Sequence, residues 1–434
     1  MRRVKGVFMK VKILSAVIVC AMALGFVACA AEPSSTQSAI EHSTPEKTNL
    51  HMVTTPDQVG ISSTDSGYYT TEMNTDGSFI ICYIDYATKS KIVLCNRPEC
   101  SHNDETCPAY LNRGVSLFVC DETLYFYFPE MIDAKGGAEN SDNCARLECA
   151  NLNGSNRRIL RQFSANSQIA YGIASDGINL YYSELTTTVF DQEIKSEYWL
   201  VSQNINSGAV TKIKELSENK HIVDASENKF YFKTFEETET SDSFAQKQVI
   251  SCSELINGKL TEEVPCANWM RDEAAGDIAD NDLYLYKYQT DSITKTDLAT
   301  GEETLLVEGV FNDTVIGAEI KRVSNHYLVM TAYQKDNLST RLQFVIDIEA
   351  GSKNKNLLFF NSLEERTTPW QIKAVFKDDF LVVNSIIPQK VTVMYYDQPM
   401  EMMIGIEQYA LISQDSYYNN LAEKAVNIEL FQKN

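Results

Sequence analysis

Residues 280–309 read DNDLYLYKYQTDSITKTDLATGEETLLVEG, and the reading of this stretch decides the fold. Leu283-Tyr284-Leu285-Tyr286 is a β-favouring run entered through Asn281-Asp282, a turn signal. Asp297-Leu298-Ala299-Thr300-Gly301 predicts a hairpin. Its Asp side chain can bond the backbone where the turn begins, and Gly supplies the positive φ where it ends. Residues 302–307 then return as the partner strand. No apolar stripe of helical period fits these residues better.

The unit recurs. Aromatic-rich strands stand at Gly67-Tyr68-Tyr69, Leu124-Tyr125-Phe126-Tyr127, Leu180-Tyr181-Tyr182, Phe230-Tyr231-Phe232, Tyr327-Leu328-Val329 and Phe380-Leu381-Val382-Val383. Counted at Tyr68, Leu124, Leu180, Phe230, Leu283, Tyr327 and Phe380, the steps are 56, 56, 50, 53, 44 and 53 residues. Hairpins recur at 151–154, 204–208, 254–258 and 347–351, each ending in Gly, and in a glycine-free form at 85–89. A lone small sheet cannot bury its apolar faces, whereas sheets packed side by side in a ring can. This period and strand content predict an all-β, seven-bladed β-propeller of four-stranded antiparallel blades. Six or eight blades also fit, and two β-sandwiches are the alternative.

The first 28 residues predict a signal peptide. Arg2, Arg3, Lys5, Lys10 and Lys12 make a basic start, and 13–27 is an apolar run short for a membrane span. It ends in Phe26-Val27-Ala28-Cys29, which resembles the bacterial lipoprotein lipobox, with Phe26 in place of the usual Leu. The resemblance implies that Cys29 is diacylated and becomes the mature N-terminus. Residues 29–50 are polar and predict a flexible, lipidated tether, with the propeller over 51–434. Removing the five basic residues from the 38 Lys and Arg leaves 33 against 59 acidic residues, a formal −26. Such a surface repels nucleic acid and anionic head groups, so membrane contact is expected through the lipid alone. A monomer outside the cytoplasm is expected.

Five long insertions, 96–114, 129–143, 185–197, 235–247 and 261–276, fall on connections that share one face of such a propeller. Several are acidic (Glu130, Asp133, Glu236, Glu237, Glu239, Asp242), which suits a solvated rim or a cationic partner. Trp269 lies in the last of them, where it either stacks on a ligand or wedges between blades. Residues 404–412 predict a strand, 413–420 a helical turn capped by Ser413, and 425–431 a final strand. Either 50–54 or 425–431 can close the ring.

Cys95, Cys100, His102 and Cys107 form C-x4-C-x-H-x4-C within the first insertion. Three thiols and an imidazole suit a closed, structural zinc site, with no position left for a catalytic water. The spacing is not a common zinc-finger one. Disulfides are the competing reading in an exported protein. Apart from Cys20 and Cys29 there are nine cysteines, and Cys144/Cys149, Cys252/Cys266 and Cys82/Cys120 are the candidate pairs. Reduced, unliganded thiols are the third reading. No cofactor beyond this zinc is expected.

The stretch LCNRPECSHNDETCPAYL (94–111), followed by the repeats and by YALISQDSYY (409–418), resembles a family of lipoproteins from anaerobic Firmicutes. These are similar to the propellers of low-density-lipoprotein-receptor-related proteins. The resemblance implies propeller, lipidation and cysteine loop together, and brings no activity. The Tyr-Trp-Thr-Asp tetrads of the receptor propellers are missing, so receptor-type ligand binding does not carry over.

No G-x-S-x-G, H-E-x-x-H, P-loop or G-x-G-x-x-G is present. The expectation is a non-catalytic binding module for a protein, peptide or glycan, acting through the acidic, loop-rich face. The alternatives are a carbohydrate-active hydrolase or lyase and a structural envelope protein. An enzyme would gather several carboxylates around the axial pocket.

Overall fold

A computed structural model describes residues 49–55, 59–131, 143–190, 193–240, 243–311, 315–334, 337–363, 366–395 and 398–430. The signal peptide, the lipobox with Cys29, nearly all of the tether and most of the 129–143 insertion lie outside the described residues.

The 280–309 stretch forms three antiparallel strands, Asp282–Lys287, Ser292–Asp297 and Glu303–Glu308, behind Ala274–Ala279. Its hairpin works as the residue types demand. Asp297 Oδ1 accepts the backbone N–H groups of Ala299 (2.8 Å) and Thr300 (2.9 Å), and Gly301 sits at φ 76°. Asn204, Asp347 and Asp85 hold their hairpins by the same side-chain-to-backbone bonds. Lys89, at φ 55°, occupies the glycine position of the glycine-free version.

Seven antiparallel meanders follow one another along the described residues, at 67–93, 116–162, 167–216, 221–270, 274–308, 315–355 and 371–427. Seven buried clusters lie between them, and each joins consecutive sheets. Phe126 and Phe128 of the second sheet pack with Ile81 and Cys82 of the first. Tyr182 and Val201 of the third pack with Phe118 and Leu147 of the second. The series closes where Ile84 and Tyr86 of the first sheet meet Leu381, Tyr409 and Leu411 of the last. The chain is therefore a β-propeller. Each second strand is covered on both faces by the neighbouring sheets, which is why it reads as an unbroken aromatic run such as Phe230-Tyr231-Phe232.

The structure corrects several details. The described residues of 185–197 and 235–247 are not loops but the ends of β-ribbons, Asn179–Phe190 with Glu193–Asn204 and Lys229–Thr240 with Ser243–Ile256. A longer ribbon, Asp379–Tyr395 with Gln398–Ser413, extends the last sheet, and Thr392 donates its N–H to Thr75 O (2.9 Å) across to the first. The 261–276 insertion contains a strand, Val264–Met270, paired with Ser243–Ile256. Ser413 caps the helix Gln414–Tyr418, accepting the Ser416 N–H (3.1 Å).

The C-terminal segment closes the ring, one of the two expectations, and Leu50–Thr54 does not. Val426–Asn427 completes the last sheet, and Glu429–Leu430 adds in parallel to Ser90–Val93 at the outer edge of the first. Leu50–Thr54 lies at the hub. It pairs with Ser167–Ser175 and with His221–Glu227, the innermost strands of two successive sheets, and joins them into one ten-stranded sheet. Gly172 permits this approach, because a Cβ there would stand 2.9 Å from Ile222 O and 3.0 Å from Thr54 O. Among the described residues no helix is long and apolar enough to cross a membrane.

Candidate functional site

An axial cavity of about 1080 Å³ runs along the innermost strands of the fourth, fifth and sixth sheets and along Leu50–Thr54. Its acidic lining includes Asp224, Asp277, Asp280 and Glu319. Three of these hold sheet to sheet. Asp224 Oδ2 accepts the Asn281 N–H (3.0 Å), Asp277 Oδ2 accepts the Arg322 N–H (2.8 Å), and Asp280 pairs with Arg322. Burial pushes Asp277 up to about 6, and the backbone donors only partly offset it. Asp224 is also raised by burial.

Where the fourth sheet meets the fifth, the lining changes character. Phe235, Gln248 and Trp269 occupy matched positions on three adjacent strands, so their side chains share one sheet face. His221 and Lys233 form the neighbouring matched pair, with Lys233 two residues from Phe235 and on the same face. The His221 ring stacks at 4.0 Å on Tyr171, a half-exposed residue held at φ 65°. Positive φ is uncommon for a bulky aromatic side chain and marks this bulge as strained. Burial lowers His221 to about 4. Lys233 lies with its ammonium 5.6 Å from the Trp269 ring centre and 5.4 Å from that of Phe235. Burial depresses its pKa, with Asp277 opposing the shift. Arg271, bonded to Gln246 Oε1 (3.1 Å), separates this region from a second cavity of about 510 Å³ edged by Phe235 and Glu237.

Trp269 is thus a buried strand residue, not an exposed loop residue. It packs among Tyr231, Ile250 and Leu285 between sheets, and it lines the cavity. Sequence reasoning missed Lys233, Gln248, His221 and Tyr171, since only strand register brings them together.

The second candidate is the cysteine loop. Cys95, Cys100, His102 and Cys107 place one ligand atom each within 4.8 Å of one another, with His102 Nδ1 3.2 Å from Cys107 Sγ. Tight turns aim them inward. Cys100 N donates to Arg97 O (3.2 Å), Cys107 N to Asp104 O (3.1 Å), and His102 adopts φ 58°. Tetrahedral zinc with Zn–S of about 2.3 Å places its sulfurs roughly 3.8 Å apart, so the donor set fits a metal ion. Burial pushes the Cys107 thiol up to about 12, which a bound cation would reverse.

None of the nine described cysteines is joined in a disulfide. Cys149 lies within the strand Arg146–Asn151, whose extended chain carries it away from Cys144 in the bend before it. Cys82 and Cys120 belong to different cores. Cys252 and Cys266 do meet: a hydrogen bond between their thiols holds Cys266 below the ordinary thiol range and raises Cys252. His51, Cys120 and Asp121 form a further cluster that could hold a cation.

No family model matches the chain, and no curated protein matches it. Solved structures that it resembles include a puromycin-hydrolysing peptidase from Mycobacterium tuberculosis, with TM-score 0.48 and 9% identity over 87% of this chain. The chain spans 54% of that peptidase's length. An oligogalacturonate lyase in complex with manganese gives 0.45 and 11%, over 82% of this chain and 90% of that one. The β-propeller domain of the trilobed protease from Pyrococcus furiosus gives 0.41 and 9%, over 80% and 90%. At these identities the likeness is one of fold.

Proposed function

We propose that the chain is a lipoprotein, anchored outside the cell membrane through Cys29, whose seven meanders are the blades of a propeller that captures its ligand in the axial cavity. The ligand class is a protein segment, peptide or glycan, and the mature protein acts as a monomer without nucleic acid. The observation that carries this reading is the cavity itself: aromatic rings and cations line its wall at the fourth sheet, while three of its carboxylates are committed to bonds between sheets. That commitment supports binding over glycoside cleavage, which needs acids free to reach a sugar. The sequence from 94 to 111 and the lipobox support membership of the Firmicutes lipoprotein family.

A pull-down of glycans and cell-surface proteins with the full chain tests the reading. Tyr171→Ala and Arg271→Glu are expected to abolish retention while the ribbons stay intact. Retention unchanged in both variants would place the ligand elsewhere. Cys29→Ala is expected to move the protein from the membrane fraction to the soluble one, and the wild type to carry acyl chains at Cys29.

Zinc in the Cys95, Cys100, His102, Cys107 set supports the loop, which has few apolar residues to hold it. Purified protein is expected to contain one zinc per chain, and a chelator to lower its melting temperature by several degrees. A metal-free preparation with unchanged melting would remove the zinc.

A further inference from the structure

Lys233 is a cavity cation with no ion-pair partner among the described residues: ring faces and the more distant Asp277 attract it, and nothing neutralises it. It is half-buried, and among the described residues no carboxylate comes within ion-pair distance. Its contacts are the faces of Trp269 and Phe235, and Arg271 nearby repels it. An ammonium removed from water without a partner is costly, by several kcal/mol in typical interiors.

Two further groups beside it want partners of opposite kinds. Trp269 (7% exposed) has an indole N–H with no acceptor, and Gln248 (8% exposed) has a side-chain oxygen with no donor. Both residues line the same cavity and are matched across the same strand pair. A complement must therefore bring a negative oxygen for Lys233, an acceptor for Trp269 and a hydrogen-bond donor for Gln248. A sulfate dianion offers no donor, and Asp277 and Asp280 disfavour the second negative charge of sulfate or of a phosphate dianion. A simple fatty carboxylate offers no donor either. The half-exposed Tyr171 ring, which lines the same cavity, suits the C–H face of a sugar ring.

We propose that the cavity seats a hydroxylated carboxylate, an aldonic or uronic acid unit, with its carboxylate on the Lys233 ammonium and its hydroxyls at Gln248 and Trp269. This rests on the reading of the cavity as the ligand seat. It adds the charge and the functional groups that the ligand must carry.

The test is calorimetric titration of the full chain with glucuronate and gluconate, against glucose, propionate and sulfate. Glucuronate or gluconate is expected to bind at least about tenfold more tightly than the other three, the scale of one charge-assisted hydrogen bond. Lys233→Met is expected to remove that advantage, with Lys233→Arg retaining part of it, while both keep the wild-type urea midpoint to within about 1 M. Should Lys233→Met fail to fold, protection serves instead: glucuronate is expected to shield Lys233 of the wild type from acetylation, read by peptide mass spectrometry. Absence of saturable glucuronate and gluconate binding overturns the inference, as does unprotected Lys233. Equal affinity for glucose and glucuronate overturns the charge assignment, and tighter sulfate overturns the hydroxyls. The parent reading fails separately, through retention that survives Tyr171→Ala and Arg271→Glu.

Discussion

His221 and Asp277 line one cavity, and burial shifts them so that their pH trends run in opposite directions. The folded protein holds His221 near 4, below its ordinary 6.5. The unfolded chain therefore takes that proton first, and the stability His221 contributes above about 6.5 is lost as pH falls toward 4. Asp277 is held near 6, above its ordinary 3.8, so its contribution is present below about 4 and lost as pH rises through 6. The two trends oppose over the same interval. His221→Phe is expected to make stability fall more steeply than wild type between pH 4 and 6, and Asp277→Asn to make it rise. Urea midpoints across that range check both, and a shared slope would contradict the assignment. Among the thiols, Cys266 is stabilised as thiolate by the Cys252 hydrogen bond. It is expected to be the first of the nine alkylated at neutral pH, and mild oxidation to join it to Cys252, as peptide mapping would reveal.

Strands and turns were legible wherever turn chemistry punctuates them. Asp297 and Gly301 announce their hairpin by the bonds and the φ they in fact make. The ribbons were illegible because Thr187, Thr188, Glu236 and Glu237 are polar, and a two-stranded ribbon standing in solvent needs no apolar face. The cysteine set was visible because its four ligands lie within 13 residues of sequence, 95–107. The cavity set was not, because Tyr171 and Trp269 are almost 100 residues apart and only inter-strand register unites what lies between them. At the closing edge, Ile428 is buried against Ile84, Tyr86 and Leu411, between the two C-terminal strands. Ile428→Ala is expected to cost about 2–4 kcal/mol in chemical denaturation, a core-sized loss from a residue six short of the chain's end. A change below about 0.5 kcal/mol would mean that these strands do not close the ring.

The whole molecule carries a formal charge of −21, yet its cavity has an unpaired cation at its wall. An acidic field repels an approaching anion and is screened as salt rises. Association of glucuronate is therefore expected to quicken by roughly twofold between about 20 and about 200 mM salt, the reverse of ordinary ionic attraction. Stopped-flow measurement of Trp fluorescence would show it, and slowing with salt would contradict it. Architecture at this scale followed from the period of the aromatic strands, since a repeated sheet has to bury both faces against copies of itself. The make-up of the inner wall did not follow, because it depends on a few side chains that only strand register brings together.

Leu50–Thr54 enters the wheel at its axle, where it stitches two spokes together and forms part of the cavity wall. Tension arriving along the polypeptide from residue 49 and before would fall on that stitch first. Were it drawn out, the third and fourth sheets would lose their shared seam and the pocket would lose His51 and Met52. Under the proposed reading, occupancy and grip are coupled: a guest that touches those two side chains would tighten the hold on the strand, and a pull on the strand would loosen the guest.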